Sequence, residues 1–165
     1  LGNELVKSKK VVAVGECGLE TGSEEEVELF KFNINLAKET GLPLVLHCRN
    51  MFNKVFEILD YDKVQMHCFT GNKEEMWGCV RRGWYISFGG ILTFKKSEEL
   101  RSVARLVPED RLLVETDSPY LAPEPVRGTK NTPANVKYVL KCLTKVREVS
   151  MERATSENAR RLFRI

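Results

Sequence analysis

Residues 111–119 of the chain have the sequence RLLVETDSP, in which an apolar run is followed by Asp117 and a Ser-Pro turn. Three other apolar runs lead into a polar residue in the same way: Glu16 follows KVVAVG, His47 follows PLVL and His67 follows KVQM. Short apolar runs of this kind are typical of parallel strands that are buried on both faces. Because the carboxyl ends of parallel barrel strands lie on one face, we expect these four side chains to lie together.

The rest of the chain alternates between such strands and longer amphipathic segments. Strands are predicted at residues 10–15, 43–48, 63–68, 84–90 and 111–116. Helices are predicted from the Ser23 cap to Gly41 and at residues 52–59, 73–82, 97–106, 133–147 and 151–163. This repeat of five βα units predicts an α/β fold with a parallel sheet. An open doubly wound sheet and part of a (β/α)8 barrel both fit the repeat, and the polar strand ends favour the barrel.

Several helix ends carry sequence signals. Ser23 and Glu26 have the spacing of a capping box, and Gly41 is placed to end the same helix. Ser97 and Ser150 are expected to cap two later helices. Residues 119–131 are rich in Pro and Gly and are predicted to form a loop.

The composition is that of one ordered domain spanning residues 1–165, with 42% apolar and 30% charged residues. Its longest apolar runs are too short to span a bilayer, and the first ten residues lack the apolar segment of a signal peptide. We therefore expect a cytoplasmic protein with no membrane partner. A net charge of +3 permits a polyanionic ligand, but any phosphate recognition has to be local.

The five cysteines are odd in number and include no Cys-x-x-Cys pair, which argues against a disulfide framework or a zinc knuckle. Cys17, Cys48 and Cys68 each directly follow one of the polar strand-end residues. Since neighbouring side chains on a strand point to opposite faces, we expect these cysteines to face outward. They are then expected to pack against helices rather than to bind a metal.

Two imidazoles and two carboxylates form a mixed nitrogen and oxygen donor set, which favours Zn, Mn, Fe or Mg over Cu(I) or an iron–sulfur cluster. A carboxylate can bridge two ions about 3.5–4 Å apart, the arrangement used in phosphoester displacement. Asp117 could also accept a proton from the attacking water. Taken singly, each residue fits an ordinary structural role, as a satisfied polar group, a cap or a turn residue. Their joint occurrence favours a metal site.

The chain resembles the TatD metal-dependent deoxyribonucleases, which are amidohydrolase-like (β/α)8 barrels. The resemblance extends over nearly the whole chain and is carried, in order and spacing, by VVAVGECGLE, LPLVLHCRN, MHCFTGN, WYISFGG, LLVETDSPYLAP, RGTKNTPANVKYV and SENARRLF. It implies that Glu16 is a carboxylate shared by two divalent metal ions and that His47 and His67 are paired ligands. It also implies that Asp117 is the metal-bound aspartate that helps to activate water.

The same resemblance suggests residues that contact the substrate phosphates. Arg49 is similar to the phosphate-contacting arginine of the family, although it could instead pair with a loop carboxylate. Arg127, Lys130 and Asn131 lie in the loop after the last strand, which is near the barrel mouth in the family. They could steer a nucleic-acid backbone, although the sequence favours an ordinary solvated loop.

The chain also departs from the family pattern. Family members open with a strand carrying His-x-His and two more strand–helix units, whereas only five βα units are recognisable here. Because a complete barrel needs about 250 residues, we expect an incomplete barrel corresponding to the C-terminal part. The missing segment could lie elsewhere, copies of the chain could associate to replace it, or the chain could be an inactive remnant. Glu20 stands where the family usually has Asp, which predicts an altered loop.

Three functions are compatible with these observations. The leading hypothesis is a deoxyribonuclease, a 3′-5′ exonuclease and/or endonuclease acting on single-stranded DNA or 3′ ends through a metal-activated water. The second is a hydrolase of another ester or amide, such as aminoacyl-tRNA, because one metal site can polarise either a carbonyl or a phosphoryl oxygen. The third is a non-catalytic remnant that binds nucleic acid or a partner.

Overall fold

The computed structural model describes residues 2–165, which form a five-stranded parallel sheet with the strands in chain order. Each strand pairs with the next one along the chain, so the predicted α/β fold with a parallel sheet is confirmed. The strands are β1 (Val14–Leu19), β2 (Leu44–Cys48), β3 (Val64–Met66), β4 (Tyr85–Phe88) and β5 (Leu112–Val114).

Helices connect the strands, as expected of parallel pairing, which needs a crossover between neighbours. They are α1 (Gly2–Leu5), α2 (Glu24–Thr40), α3 (Phe52–Ile58), α4 (Lys73–Arg81), α5 (Glu98–Leu106), α6 (Val136–Arg147) and α7 (Glu152–Phe163). Short 3₁₀ turns span Gly90–Thr93, Glu109–Arg111 and Pro133–Asn135. Within residues 2–165, no helix is both long and apolar enough to cross a bilayer.

The predicted position of the first strand is wrong. The apolar run was expected to form a strand at residues 10–15, but β1 runs from Val14 to Leu19. The cause is the partner strand, because the main-chain N–H of Val14 is the first in β1 to reach it and donates to the carbonyl of Pro43. The ladder then continues to Leu19 opposite Cys48, so Glu16 lies within the strand and not after it.

The helix-end predictions are partly confirmed. The Ser23 side chain accepts from the N–H of Glu26, and Gly41 ends α2 in the left-handed conformation with φ of 67°. The second half of the capping box is wrong, since the Glu26 carboxylate turns away to accept from the N–H groups of Glu20, Thr21 and Gly22.

The two other predicted caps differ in outcome. Ser97 is the N-cap residue of α5 as predicted, although its side chain makes no capping bond. Ser150 is wrong, because the residue that precedes α7 is Met151. A complete capping box is present instead at Asn72 and Glu75, where each side chain accepts from the other residue's N–H.

The main core lies between the sheet and the helices on its outer face. Its largest fully buried side chains include Trp84, Phe30, Phe69 and Phe88. The Phe69 ring lies edge-on to Phe88, with centroids 6.1 Å apart, and to Phe52 at 5.8 Å. Offset and edge-to-face aromatic pairs stabilise a core beyond the area that they bury. This packing holds the strands that carry the site residues.

We predict that Gly18→Ala strongly destabilises the fold. A Cβ at Gly18 would lie 1.7 Å from the carbonyl oxygen of His47, and the residue has a φ of +154°. Moving β1 away from β2 to relieve this clash should cost about 3 kcal/mol of unfolding free energy, the upper end for overpacking. Urea unfolding measures the change.

Gly83→Ala is the matched control for this prediction. Gly83 also has a positive φ, +80°, but its added Cβ would meet no atom within 4 Å. The substitution should cost only the left-handed backbone term of about 1–2 kcal/mol. Equal losses in the two variants would contradict the close approach of β1 and β2.

Candidate metal centre

The structure brings together the four side chains that the strand ends predicted. His47 Nδ1 lies 3.3 Å from Glu16 Oε1, and His67 Nε2 lies 3.4 Å from Glu16 Oε2. The same His67 nitrogen lies 3.3 Å from Asp117 Oδ1. The four residues come from β1, β2 and the segments that follow β3 and β5, so parallel pairing is what makes them converge.

The donor chemistry of this cluster fits a divalent cation. Ligand atoms about 2.1 Å from a tetrahedrally coordinated ion are about 3.4 Å from one another. The separations of 3.3–3.4 Å between the imidazole nitrogens and the carboxylate oxygens have this length. A third carboxylate, that of Glu115, lies beside His67. Together with Glu16 and Asp117 it leaves negative charge around the two histidines for a cation to balance.

The contacts are pairwise rather than closed around one point. The two oxygens of Glu16 face different histidines, and only His67 also contacts Asp117. Within residues 2–165, no three His, Cys, Asp or Glu side chains have an arrangement that could already hold one ion. The side chains would therefore have to reorient toward a common point to hold one.

Glu115 is a functional residue that the sequence analysis missed. Its Oε1 accepts from His67 Nδ1 at 2.8 Å and from the N–H of Cys68 at 2.7 Å. Its Oε2 accepts from Gln65 Nε2 at 2.7 Å and from Ser87 Oγ at 2.6 Å. The available signal was the position of Glu115 two residues before Asp117, since alternate residues of an extended segment share a face.

The environment of His67 favours its protonated form in the absence of a metal. Burial by itself lowers the pKa of an imidazole, but the hydrogen bond and negative charge of Glu115 outweigh it. With the further charges of Glu16 and Asp117, they raise the pKa of His67 from 6.5 to about 9. A metal ion would have to displace this proton, so binding should release one.

The four side chains line a cavity of about 430 Å³. Arg49 also lines the cavity, and Ile91 and Leu121 are apolar members of the lining. A cavity with convergent polar groups and some apolar wall is the usual form of a small-ligand site. The cluster is therefore accessible from outside the barrel.

The predicted outward orientation of the cysteines is only partly correct. Cys17 is buried in the core, as expected. Cys48 also packs against this core, although it borders the cavity as well. The prediction for Cys68 is wrong, because that residue lines the cavity. Cys68 has a left-handed φ of 45°, so the chain has left the regular alternation of a strand by that residue. Burial raises the pKa of Cys48 to about 11 and that of Cys68 to about 12, which keeps both thiols protonated.

The candidate phosphate-contacting residues are in different environments. Arg49 forms an ion pair with Glu20, with Nη1 3.1 Å from Oε1, and still lines the cavity. The guanidinium of Arg127 lies 3.8 Å above the ring of Phe94, outside the cavity lining. Lys130 is exposed on the same loop.

Asn131 does not face a substrate, contrary to the expectation for this loop. It is buried, and its side-chain amide donates to the carbonyls of Thr116 and Tyr120 at 2.7 Å. The residue therefore braces the loop that follows Asp117. Its short polar side chain reaches two main-chain acceptors at once, a role that the sequence pattern could not distinguish from solvent exposure.

Comparison with known families and proteins gives one consistent result. A family model described as "TatD related DNase" matches residues 3–164. The uncharacterized metal-dependent hydrolase YabD of Bacillus subtilis is 41% identical over 98% of this chain and 69% of its own length. A protein of Erwinia billingiae named 3′-5′ ssDNA/RNA exonuclease TatD is 35% identical, with the same coverage of 98% and 69%.

Solved structures show the same similarity. The TatD homologue YJJV of Escherichia coli superposes with a TM-score of 0.91 at 28% identity, covering 99% of this chain and 69% of that one. A TatD family hydrolase of Entamoeba histolytica matches with a TM-score of 0.79 at 22% identity, which concerns the fold alone. The predicted barrel-type fold is thus confirmed. The chain spans about two thirds of the length of the relatives that it matches.

We predict that the metal-free protein becomes less stable as the pH rises from 6.5 to 9. The folded state raises the pKa of His67 above its ordinary value of 6.5, so its stabilising contribution is complete below that pH. It is lost as the pH passes through about 9. Urea unfolding in the presence of a chelator measures the effect.

His67→Gln provides the control, because glutamine does not titrate. Subtracting the unfolding free energy of His67→Gln from that of the unsubstituted protein at each pH isolates the contribution of His67. A difference that stays constant between pH 6.5 and 9 would contradict the charge interaction with Glu115.

Proposed function

Because this chain belongs to the TatD-related DNase family, we propose that it is a metal-dependent hydrolase that cleaves phosphodiester bonds of DNA. The observation that carries the proposal is the convergence of Glu16, His47, His67 and Asp117 in one accessible cavity. Two imidazoles and two carboxylates at separations of 3.3–3.4 Å form the mixed nitrogen and oxygen donor set that divalent ions bind, which the packing of a sheet edge does not require.

In this proposal the four residues are metal ligands. Glu16 would be the carboxylate shared by the metal ions, a role supported by the contact of each of its oxygens with a different histidine. His47 and His67 supply the nitrogen donors, and Asp117 supplies a further oxygen. Divalent ions such as Zn²⁺, Mg²⁺ or Mn²⁺, when bound there, would lower the pKa of a water and take up charge on the phosphoryl oxygens.

The protein's own groups would then act on the water and the substrate. Asp117 is the proposed general base, because its carboxylate borders the cavity beside His67. Arg49 is the proposed contact for the scissile phosphate, since its guanidinium can offer two parallel donors once Glu20 releases it. Arg127 and Lys130 are proposed to attract the nucleic-acid backbone from outside the cavity.

The finer assignment is a 3′-5′ exonuclease acting on single-stranded DNA. It is supported by the name of the Erwinia relative, 3′-5′ ssDNA/RNA exonuclease TatD, and by the presence of Arg49 in the cavity lining. The five cysteines are all free thiols, which fits a reducing compartment such as the cytoplasm. We also propose that residues 1–165 form one domain, the C-terminal part of a TatD-like barrel.

We predict that Asp117→Asn lowers the rate of DNA hydrolysis at least 100-fold, the minimum typical of removing a general base. The assay follows the shortening of a 5′-labelled single strand with Mg²⁺, Mn²⁺ or Zn²⁺. Asp110→Asn is the matched control, because Asp110 is exposed and precedes the opposite end of β5. The control should keep full activity.

Two outcomes would refute this function. Equal activity in Asp117→Asn and the unsubstituted protein would remove Asp117 from the reaction, and activity in neither would favour a non-catalytic chain. A panel of carboxylic esters and aminoacyl-tRNA tests the alternative substrate class. A phosphodiesterase should leave those compounds intact, whereas their hydrolysis at the same centre would replace DNA as the proposed substrate.

We predict that Arg49→Ala lowers kcat/KM about 10- to 100-fold, since a hydrogen bond to a charged group is worth about 1.5–3 kcal/mol. Arg49→Lys should recover only part of the loss, because lysine lacks the paired donors. Arg153→Ala is the control, as Arg153 is an exposed residue of α7 paired with Glu157. Full activity of Arg49→Ala would show that Arg49 serves only to pair with Glu20.

A further inference from the structure

We propose that Glu115 is a positioning residue, which holds His67 by its Nδ1 atom so that Nε2 is presented for metal binding. This inference rests on the proposed metal centre and goes beyond it, because Glu115 is not one of the proposed ligands. Ligating histidines commonly donate their second ring N–H to a carboxylate, which determines the tautomer and the ring orientation.

The two oxygens of Glu115 make different contacts. Oε2 anchors the carboxylate to the sheet through Gln65 of β3 and Ser87 of β4. Oε1 holds the end of β3 through His67 Nδ1 and the N–H of Cys68. One oxygen thus ties the carboxylate to two neighbouring strands, and the other constrains both the ring of His67 and the main chain that follows it.

The charge of Glu115 is costly unless it has such a role. Its side chain is 13% exposed, and His67 is its only cationic partner within 4.0 Å among the described side chains. Burying an ion without good partners costs several kcal/mol. A neutral residue could hydrogen-bond to Gln65 and Ser87 without that cost, so the carboxylate is best explained by its contact with the imidazole.

The contrast with His47 supports the assignment. His47 is the more exposed histidine, at 37%, and its Nδ1 faces Glu16 directly. His67 is 14% exposed. Its main-chain N–H donates to the carbonyl of Leu46, and its ring Nδ1 is held by Glu115. Consequently Nε2 is the only ring nitrogen of His67 that faces both Glu16 and Asp117.

The first test needs no substitution. Long-range proton–nitrogen NMR correlations of the zinc-loaded protein report which imidazole nitrogen carries a proton. We expect the His67 ring to carry a proton on Nδ1 and the metal on Nε2. A proton on Nε2, or metal on Nδ1, would overturn the proposal.

The second test measures zinc affinity by competition with a chromophoric chelator, which is a readout separate from activity. Glu115→Gln keeps the shape but removes the charge, and it should weaken zinc binding about 10- to 100-fold, as is typical for such partners. Glu109→Gln is the matched control, because Glu109 is exposed and lies just before the other end of β5. The control should bind zinc as the unsubstituted protein does.

The outcomes separate this inference from the proposed function. Zinc affinity of a folded Glu115→Gln within twofold of the parent would overturn the positioning role and leave the metal centre intact. If the unsubstituted protein binds no divalent metal, the proposed function and this inference both fail. If Glu115→Gln does not fold, as judged by circular dichroism, the NMR result on the unsubstituted protein decides.

Discussion

Parallel pairing of the five strands in chain order is the constraint on which the site depends. Because every strand runs in the same direction, the carboxyl ends of β1, β2, β3 and β5 meet at one edge. Four side chains separated by up to about a hundred residues of sequence are thereby brought to within 3.4 Å of a neighbour in the cluster. A strand displaced from this order would remove a donor from the cavity.

A polar layer crosses the inner face of this sheet just below the site. Gln65, Ser87 and Glu115 come from adjacent strands or their ends, and the side chains of Gln65 and Ser87 both donate to the Glu115 carboxylate. A buried polar network of this kind stabilises a structure only when every member has a partner. Within the described residues no buried side-chain nitrogen or oxygen lacks one. The layer therefore connects the end of β3 to β4 and to the segment that follows β5.

Sequence and structure agree on element type more closely than on element ends. Strand and helix types follow from apolar periodicity, which is a local property, and Gly41 ends α2 because it readily adopts a left-handed φ. The start of β1 depends on where β2 begins. The Glu26 carboxylate accepts from main-chain N–H groups of the loop at Glu20 and not from the cap of its own helix. The pairing of β1 depends on a strand distant in sequence, whereas Glu26 has two competing sets of nearby main-chain donors. Apolar periodicity predicts neither outcome.

The sequence by itself determined the α/β class, the family and the identity of the four convergent residues. Each of these follows from short apolar runs, the polar residues next to them and the order in which they occur along the chain. Only the tertiary structure decided the roles of residues whose partners are distant in sequence. Glu115 contacts His67 across β4, Asn131 braces a loop, and Arg127 lies against Phe94. The physical reason is that a hydrogen bond or an ion pair depends on distances of a few ångströms, which arise only after the strands have paired.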